Sequence, residues 1–146
     1  MAAKKVREST MDKTFSILVR ESYDWRCQYP GCPKCGNHDL RNGGLECSHY
    51  YGRRYRGGRW HPDNCVALCH AIHAYLDTHP SEQVDFMRRH LGDTRHEMLV
   101  ERMQETFKYT AVEKWELHEH NKLELDRLLF MRANGARGPI PVISFD

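Results

Sequence analysis

Residues 26–44, RCQYPGCPKCGNHDLRNGG, have little with which to hold themselves in place. The stretch carries two prolines, several glycines and Asn/Asp turn formers, so it reads as loop. A loop this poor in apolar side chains needs an outside tether to stay ordered. Cys32-Pro-Lys-Cys35-Gly36 supplies one. A Cys-x-x-Cys turn lets two thiolates reach one tetrahedral zinc, and the following glycine relieves the tight backbone. A further cysteine, Cys69, arrives downstream. The chain has six cysteines. No basic-then-apolar signal segment opens it, so a cytoplasmic location is expected, where thiols stay reduced and serve metals or catalysis rather than disulfides. Structural Zn2+ is therefore the first cofactor expected.

The stretch that follows, from Glu46 to His73, reads ECSHYYGRRYRGGRWHPDNCVALCHAIH. His49 stands near the end of a short hydrophobic run. Phosphodiester hydrolysis needs an in-line water, a base, and positive charge on the phosphate and the leaving oxygen. A neutral histidine, with an ordinary pKa of ~6.5, suits the base role, and His49 is assigned to it. Asn64 and His73 are assigned as ligands of a catalytic Mg2+ or Mn2+, because neutral oxygen and nitrogen donors leave the ion its full charge. Arg53, Arg54, Arg56 and Arg59 crowd one loop and are expected to grip a nucleic-acid backbone, with Tyr50, Tyr51 and Tyr55 adding stacking or polar contacts. Blander readings stand beside these. Asn64 is good cap chemistry next to Asp63, His73 would serve equally as a zinc ligand, and the arginines would sit well in a solvated loop. His61 and His70 lie close enough in sequence to support the site. His90, His96, His118 and His120 read as surface residues among charges.

Helical spacing of Phe15, Leu18, Val19 and Trp25 predicts a helix over roughly 10–24, with Ser9-x-x-Asp12 as its capping box. Residues 1–8, small and basic, are expected to fray. Leu45 to Tyr51 reads as a strand, residues 52–58 as a turn, and Arg59-Trp60 as the start of a return strand ending near Asp63. A helix carrying His70, His73 and Leu76 follows. Pro80 suits the first turn of a helix that Gly92 stops at Leu91. Thr94-x-x-Glu97 and Thr110-x-x-Glu113 are further capping boxes, for helices to about Phe107 and Ala133. Val112, Trp115, Leu125, Leu128 and Leu129 are expected to form the apolar stripe of the last one. The prolines after Gly138 exclude a helix there, leaving the end disordered or extended. The expected division is an N-terminal helical arm (1–25), a zinc-bound core (26–79), C-terminal helices (80–135) and a tail (136–146).

The 146 residues suit one domain with extensions. Hydrophobic content of 40% and charged content of 29% are ordinary for a soluble chain. Apolar runs fall far short of the ~20 residues that cross a bilayer, so no membrane partner is expected. Net charge is only +2, so any nucleic-acid contact must come from the local arginine loop rather than from the whole chain.

His49, Asn64 and His73 in this order resemble an HNH nuclease site, in which one divalent ion sits on a β-hairpin backed by a helix. More closely, the chain resembles the NinG/Rap family of lambdoid phage recombination proteins. The motifs are Cys32-Pro-Lys-Cys35-Gly36, Ser48-His49-Tyr50, Arg59-Trp60, Asn64 and Cys69-His-Ala-Ile72-His73. The likeness continues through Phe86-Met-Arg-Arg-His-Leu-Gly92, Phe107-Lys-Tyr-Thr110 and Glu113-Lys-Trp-Glu-Leu117, covering roughly residues 10–130. It implies an α+β fold: a small zinc-stabilised ββα-metal core, treble-clef-like, flanked by α-helices. It also implies a phage or prophage hydrolase in a bacterial host, a metal-dependent DNA endonuclease acting on branched recombination intermediates such as Holliday junctions and D-loops. Ile72 stands where the family has a second knuckle cysteine, so the fourth zinc ligand must come from elsewhere. Cys27, Cys65 and His70 are the alternatives, and Cys27, on the same loop as Cys32, is the expected one beside Cys35 and Cys69. Ser48 occupies the place where many HNH sites carry an acid, and Glu46 is the alternative ligand. Cys47 and Cys65 have no family role and would line one cluster or simply be buried. Two other functions fit the same residues: an HNH nickase or restriction-type nuclease on ordinary duplex, and a non-catalytic zinc module that binds DNA. The long last helix offers a face to a second copy, so a homodimer is also expected.

Overall fold

A computed structural model describes residues 4–146. The fold is a small α+β arrangement: one two-stranded antiparallel sheet with α-helices around it. Helix α1 spans Glu8–Ser22, strand β1 Leu45–His49, the single turn α2 Arg56–Arg59, and strand β2 Cys65–Cys69 after a 3-10 turn at Pro62–Asn64. Helices α3 (His70–Asp77), α4 (Pro80–Leu91), α5 (Asp93–Gln104) and α6 (Ala111–Ala133) follow. The strands pair with Leu45 opposite Cys69, Cys47 opposite Ala67 and His49 opposite Cys65. No helix among the described residues is long and apolar enough to cross a membrane.

The hairpin divides the core in two. On one side Leu45, Val66, Leu68, Ile72 and Leu76 pack with Phe86, Met87, Leu91 and Leu99 of α4 and α5. On the other, Met11, Phe15, Leu18 and Val19 of α1 pack with Trp60, Cys65, and Leu117 and Leu128 of α6. Every side chain of β2 is buried, so its residues are apolar or cysteine throughout, as a strand covered on both faces requires.

Three local expectations give way to tertiary contacts. The return strand begins at Cys65, not at Arg59. Residues 56–59 wind into α2 instead, with the Gly58 and Arg59 amides donating to the Tyr55 carbonyl at 3.0 and 3.1 Å. Arg59 is drawn to α1, where Nε and Nη2 donate to Asp12 at 3.0 and 2.7 Å, and Trp60 Nε1 donates to the same carboxylate at 2.9 Å. Helix α1 starts at Glu8 behind Arg7, without a side-chain cap, so Ser9 lies inside it. Glu8 supplies the first-turn acid that favours a helix start and also takes Arg56 at 2.6 Å. The frayed start expected over residues 1–8 falls partly outside the described residues. Thr94 likewise lies inside α5, which begins straight after Gly92. With φ +82°, Gly92 adopts a left-handed backbone that turns α4 directly into α5. The box at Thr110 does form: its hydroxyl accepts from the Glu113 amide at 3.1 Å, and Glu113 accepts from the Thr110 amide at 2.7 Å.

The buried face of α6 differs from the expected stripe. Leu117, His118, Asn121, Glu124 and Leu128 are buried, whereas Val112 and Leu129 are exposed. The reason is that α6 covers α1 and the tail rather than a purely apolar surface. Glu124 accepts from the Ile143 amide and from Arg127, both at 2.8 Å, and His120 Nε2 bonds the Ile143 carbonyl at 2.7 Å. The tail is extended and tied at Ile140, whose amide donates to the Ser22 carbonyl at 2.8 Å. His96 and His118 are buried rather than at the surface. His96 pairs with the Tyr50 hydroxyl and His90 with that of Tyr23, at 3.2 and 2.7 Å, which satisfies their rings inside the fold.

Asp12 thus carries the contact between the hairpin loop and α1. Burial alone would raise its pKa, but bonds from Arg59 and Trp60 outweigh that and hold it below the ordinary 3.8. A depressed carboxyl pKa stabilises the fold above its unfolded value and loses that effect as pH falls through the folded one. Asp12→Ala should cost about 2–3 kcal/mol at neutral pH, lowering Tm by roughly 5–10 °C. Melts of the two proteins should converge only in acid. Equal melting at pH 7 would refute the role.

A cysteine cluster and a histidine-bearing hairpin

The loop before β1 is ordered by backbone geometry and sulfur. Gly31, Gly36 and Asn37 take left-handed conformations, with φ of +57°, +64° and +57°. Asn37 is the organiser: its amide donates to the Cys27 and Tyr29 carbonyls at 2.8 Å each, and its oxygen accepts from the Cys32 amide at 3.0 Å. The loop is joined to the sheet by the Gln28 amide, which donates to the Ala67 carbonyl at 2.9 Å.

Cys27, Cys32, Cys35 and Cys69 come together there, with all four sulfurs within 4.8 Å of one another. Cys32 and Cys69 sulfurs lie 3.7 Å apart, the separation that two thiolates take on a tetrahedral zinc with bonds of about 2.3 Å. The four residues fit structural zinc. Cys27 is the fourth thiol, and Ile72 is buried in the adjoining core. The cluster is tuned unevenly. Burial pushes Cys27 up to about 12. At Cys32 burial acts the same way, but N–H groups of Cys35 and Lys34 aimed at its sulfur prevail and bring it to about 7, favouring thiolate.

Cys69 closes β2 and opens α3, so the cluster fixes where that helix starts. Glu46 on β1 faces α3. Its carboxylate takes His73 Nδ1 at 2.9 Å and His70 Nδ1 at 3.0 Å, while His73 Nε2 lies 3.5 Å from Asp77. Burial would raise the Glu46 pKa, but the two imidazoles hold it below the usual carboxylate range. His49 belongs to the other side of the hairpin. Strand side chains alternate, so residues 46 and 49 point to opposite faces. His49 packs near Phe15 of α1, and its Nε2 bonds the Arg59 carbonyl at 2.9 Å. Its half-buried ring has a lowered pKa, chiefly from burial.

Asn64 is wholly buried and already occupied. Its oxygen accepts from the Tyr51 amide at 2.8 Å, and its amide donates to the Tyr51 and Gly58 carbonyls at 2.9 and 3.0 Å. It therefore pins the arginine loop to the start of β2. The two residues expected to share an ion, Asn64 and His73, have separate partners. Gly58 lies so close that an added Cβ would stand 2.8 Å from the Asn64 amide nitrogen.

The four arginines divide. Arg59 and Arg56 are committed to Asp12 and Glu8 and are largely covered. Their positive charge is neutralised by α1, which removes them from the expected phosphate grip. Arg53 is mostly exposed and only 3.9 Å from Asp12, and Arg54 lies over the Tyr55 ring on the surface. Tyr50, Tyr51 and Tyr55 form a run of aromatic contacts with ring centres 4.9 and 5.4 Å apart. Of the two supporting histidines, His70 joins the Glu46 group, and the half-buried His61 accepts from the Asp63 amide at 3.2 Å.

Sequence reasoning missed the part played by Asn37, although an Asn directly after the Cys-x-x-Cys-Gly turn is a left-handed position of the right kind. It also missed that Glu8 and Asp12 answer the arginines, which no local spacing signals. No family model, curated protein or solved structure matches the chain.

Two substitutions test this geometry. Cys35→Ser should lose bound zinc and unfold or loosen the 26–44 loop. Structural zinc in finger-like sites is worth ~10 kcal/mol or more, comparable to a domain's whole stability, so wild-type melting with Cys35→Ser would refute a zinc tether. Asn64→Ala strands the Tyr51 and Gly58 carbonyls and the Tyr51 amide, and should cost about 3 kcal/mol in denaturant unfolding. An unchanged midpoint would show that the loop holds without it.

Proposed function

We propose that the chain is a metal-dependent DNA endonuclease of HNH type, resembling the NinG/Rap recombination proteins, with branched DNA as substrate. One observation carries the reading: the residues of the motif fall on the end of β1, the turn that leads into β2 and the first turns of α3, a single hairpin-helix unit beside four clustered cysteines. In this reading His49 takes a proton from water as the water oxygen bonds to phosphorus. The phosphorus–O3′ bond breaks, and the departing oxygen takes up a proton from solvent. The Arg59 carbonyl holds the His49 ring with Nε2 as donor, which leaves Nδ1 as the basic nitrogen. Glu46 and His73 would hold the divalent ion, with Asp77 beside them. The Glu46 and Asp77 carboxylates are the oxygen donors that Mg2+ or Mn2+ takes, and His73 adds a nitrogen donor of a softer kind. Such an ion, when bound, neutralises charge on the phosphate and the leaving oxygen. Asn64 serves by fixing the loop. Arg53 and Arg54 contact backbone phosphates. A second copy pairing along α6, where Leu123 and Phe130 are exposed one heptad apart, would supply the second active centre that cutting both strands of a junction requires.

One observation favours a second reading, a zinc-supported DNA-binding module without catalysis: Glu46 and His49 point to opposite faces of β1. A substrate strand would have to cross the end of β1 to meet both.

The deciding measurement is Mg2+- or Mn2+-dependent cleavage of a labelled four-way junction beside its matched linear duplex. Junction cleavage that falls at least 100-fold in His49→Ala and in His73→Ala is expected. Equal cutting of both substrates would keep the chemistry and move the substrate to ordinary duplex. Binding without cleavage of either would establish the non-catalytic module.

A further inference from the structure

We infer that Cys47, His49 and Cys65 form a second zinc site, separate from the four-cysteine cluster. The sulfur atoms of Cys47 and Cys65 and one ring nitrogen of His49 all lie within 4.8 Å of one another. The pairing register explains why. His49 stands directly opposite Cys65, and Cys47 is two residues before His49, so all three side chains share one face of the hairpin. Helix α1 packs over that face, with Phe15 beside His49 and Cys65 fully enclosed.

Donor chemistry and second-sphere geometry agree. Two thiolates and one imidazole are a soft set that selects zinc over Mg2+ or Ca2+. Three protein donors leave the fourth tetrahedral position open to water or another small ligand. Metal-bound histidines usually give their other ring proton to a carbonyl or carboxylate, which fixes ring and tautomer. His49 is already held in this way, with Nε2 on the Arg59 carbonyl at 2.9 Å. Nδ1 then carries the lone pair.

The site is distinct from the structural cluster. Cys65 and Cys69 stand at opposite ends of β2, about 13 Å apart along a strand. Cys69 works with the 26–44 loop and Cys65 with α1. The consequence rests on the nuclease reading: zinc here engages the nitrogen that His49 needs as a base, so occupancy and cleavage exclude each other.

The test is metal content and needs no cleavage assay. The full chain, loaded with excess Zn2+ and dialysed against metal-free buffer, should hold two zinc ions by elemental analysis. Cys47→Ser should hold one fewer. Cys47 is only half-buried and serine is nearly the same shape, so this variant should keep its helical circular dichroism. In the wild type itself, titration with Cd2+ followed at the thiolate charge-transfer absorption should saturate at two equivalents. Saturation at one equivalent, or a zinc count unchanged by Cys47→Ser, overturns the site. Where cleavage is found, added Zn2+ should inhibit it in the wild type and not in Cys47→Ser. If no cleavage is found in any form, the nuclease reading fails while the zinc count still decides the site.

Discussion

Everything around the hairpin depends on how a hydrophobe-poor loop is kept ordered. Residues 26–44 contribute few core side chains, yet they lie against the sheet, and β1 begins directly after them. Fixing a residue's backbone costs roughly 1–2 kcal/mol, so some twenty residues cannot be held by a few apolar contacts. Asn37 stitches three backbone groups of the loop, and above them four thiols converge on one point where a shared zinc ion would supply the concentrated energy that the loop lacks. Because Cys69 is both a member of that cluster and the last residue of β2, the same contact sets the register of the sheet and the start of α3. Moving that anchor by one residue would turn the whole of β2 over.

The second layer of organisation is polar and long-range. Asp12 receives Arg59 and Trp60, Asn64 closes the loop from inside, and Glu124 and Arg127 stitch the tail to α6. These contacts join segments far apart in sequence, and each buries a group whose partner must be present. Packing alone would leave the arginine loop free to slide. The polar pins select one arrangement, at the cost of making each of them sensitive to truncation.

That division explains what could be read from the chain. The Cys-x-x-Cys turn, the Pro80 start and Gly92 stop of α4, and the Thr110 box depend on neighbours within a few residues, and all are present. Cys27 was legible as the fourth thiol because it shares a loop with Cys32. The boxes at Ser9 and Thr94 obey the same local rule, yet the structure starts those helices two residues earlier than such caps would, where Glu8 meets Arg56 and where Gly92 turns the chain. The strand expected at Arg59–Trp60 fails for the same cause: Asp12, some 47 positions away in sequence, outweighs local β preference. The stripe on α6 was misread because its partner surface includes the tail, so Glu124 and Asn121 are buried ahead of Val112 and Leu129. In the candidate site the order of His49, Asn64 and His73 was plain, but their directions were not. Direction follows from strand parity and from what each side chain bonds, and neither is written in spacing.

Parity has a further result for the hairpin. A strand offers two faces at a spacing of about 3.3 Å per residue, and β1 uses both. Glu46 turns to the imidazoles of α3, while Cys47 and His49 turn to α1 and Cys65. The first face carries a carboxylate and two imidazoles, half open to solvent, a donor set of oxygen and nitrogen. The second carries sulfur and nitrogen under a covering helix and suits a soft, retained ion. His49 is the residue through which the two faces are linked, since it sits at the end of β1 where the chain leaves for the arginine loop. Its Nε2 is held by Arg59, which is held by Asp12. A change anywhere along that line alters how the imidazole is presented, so α1 shares control of the His49 ring.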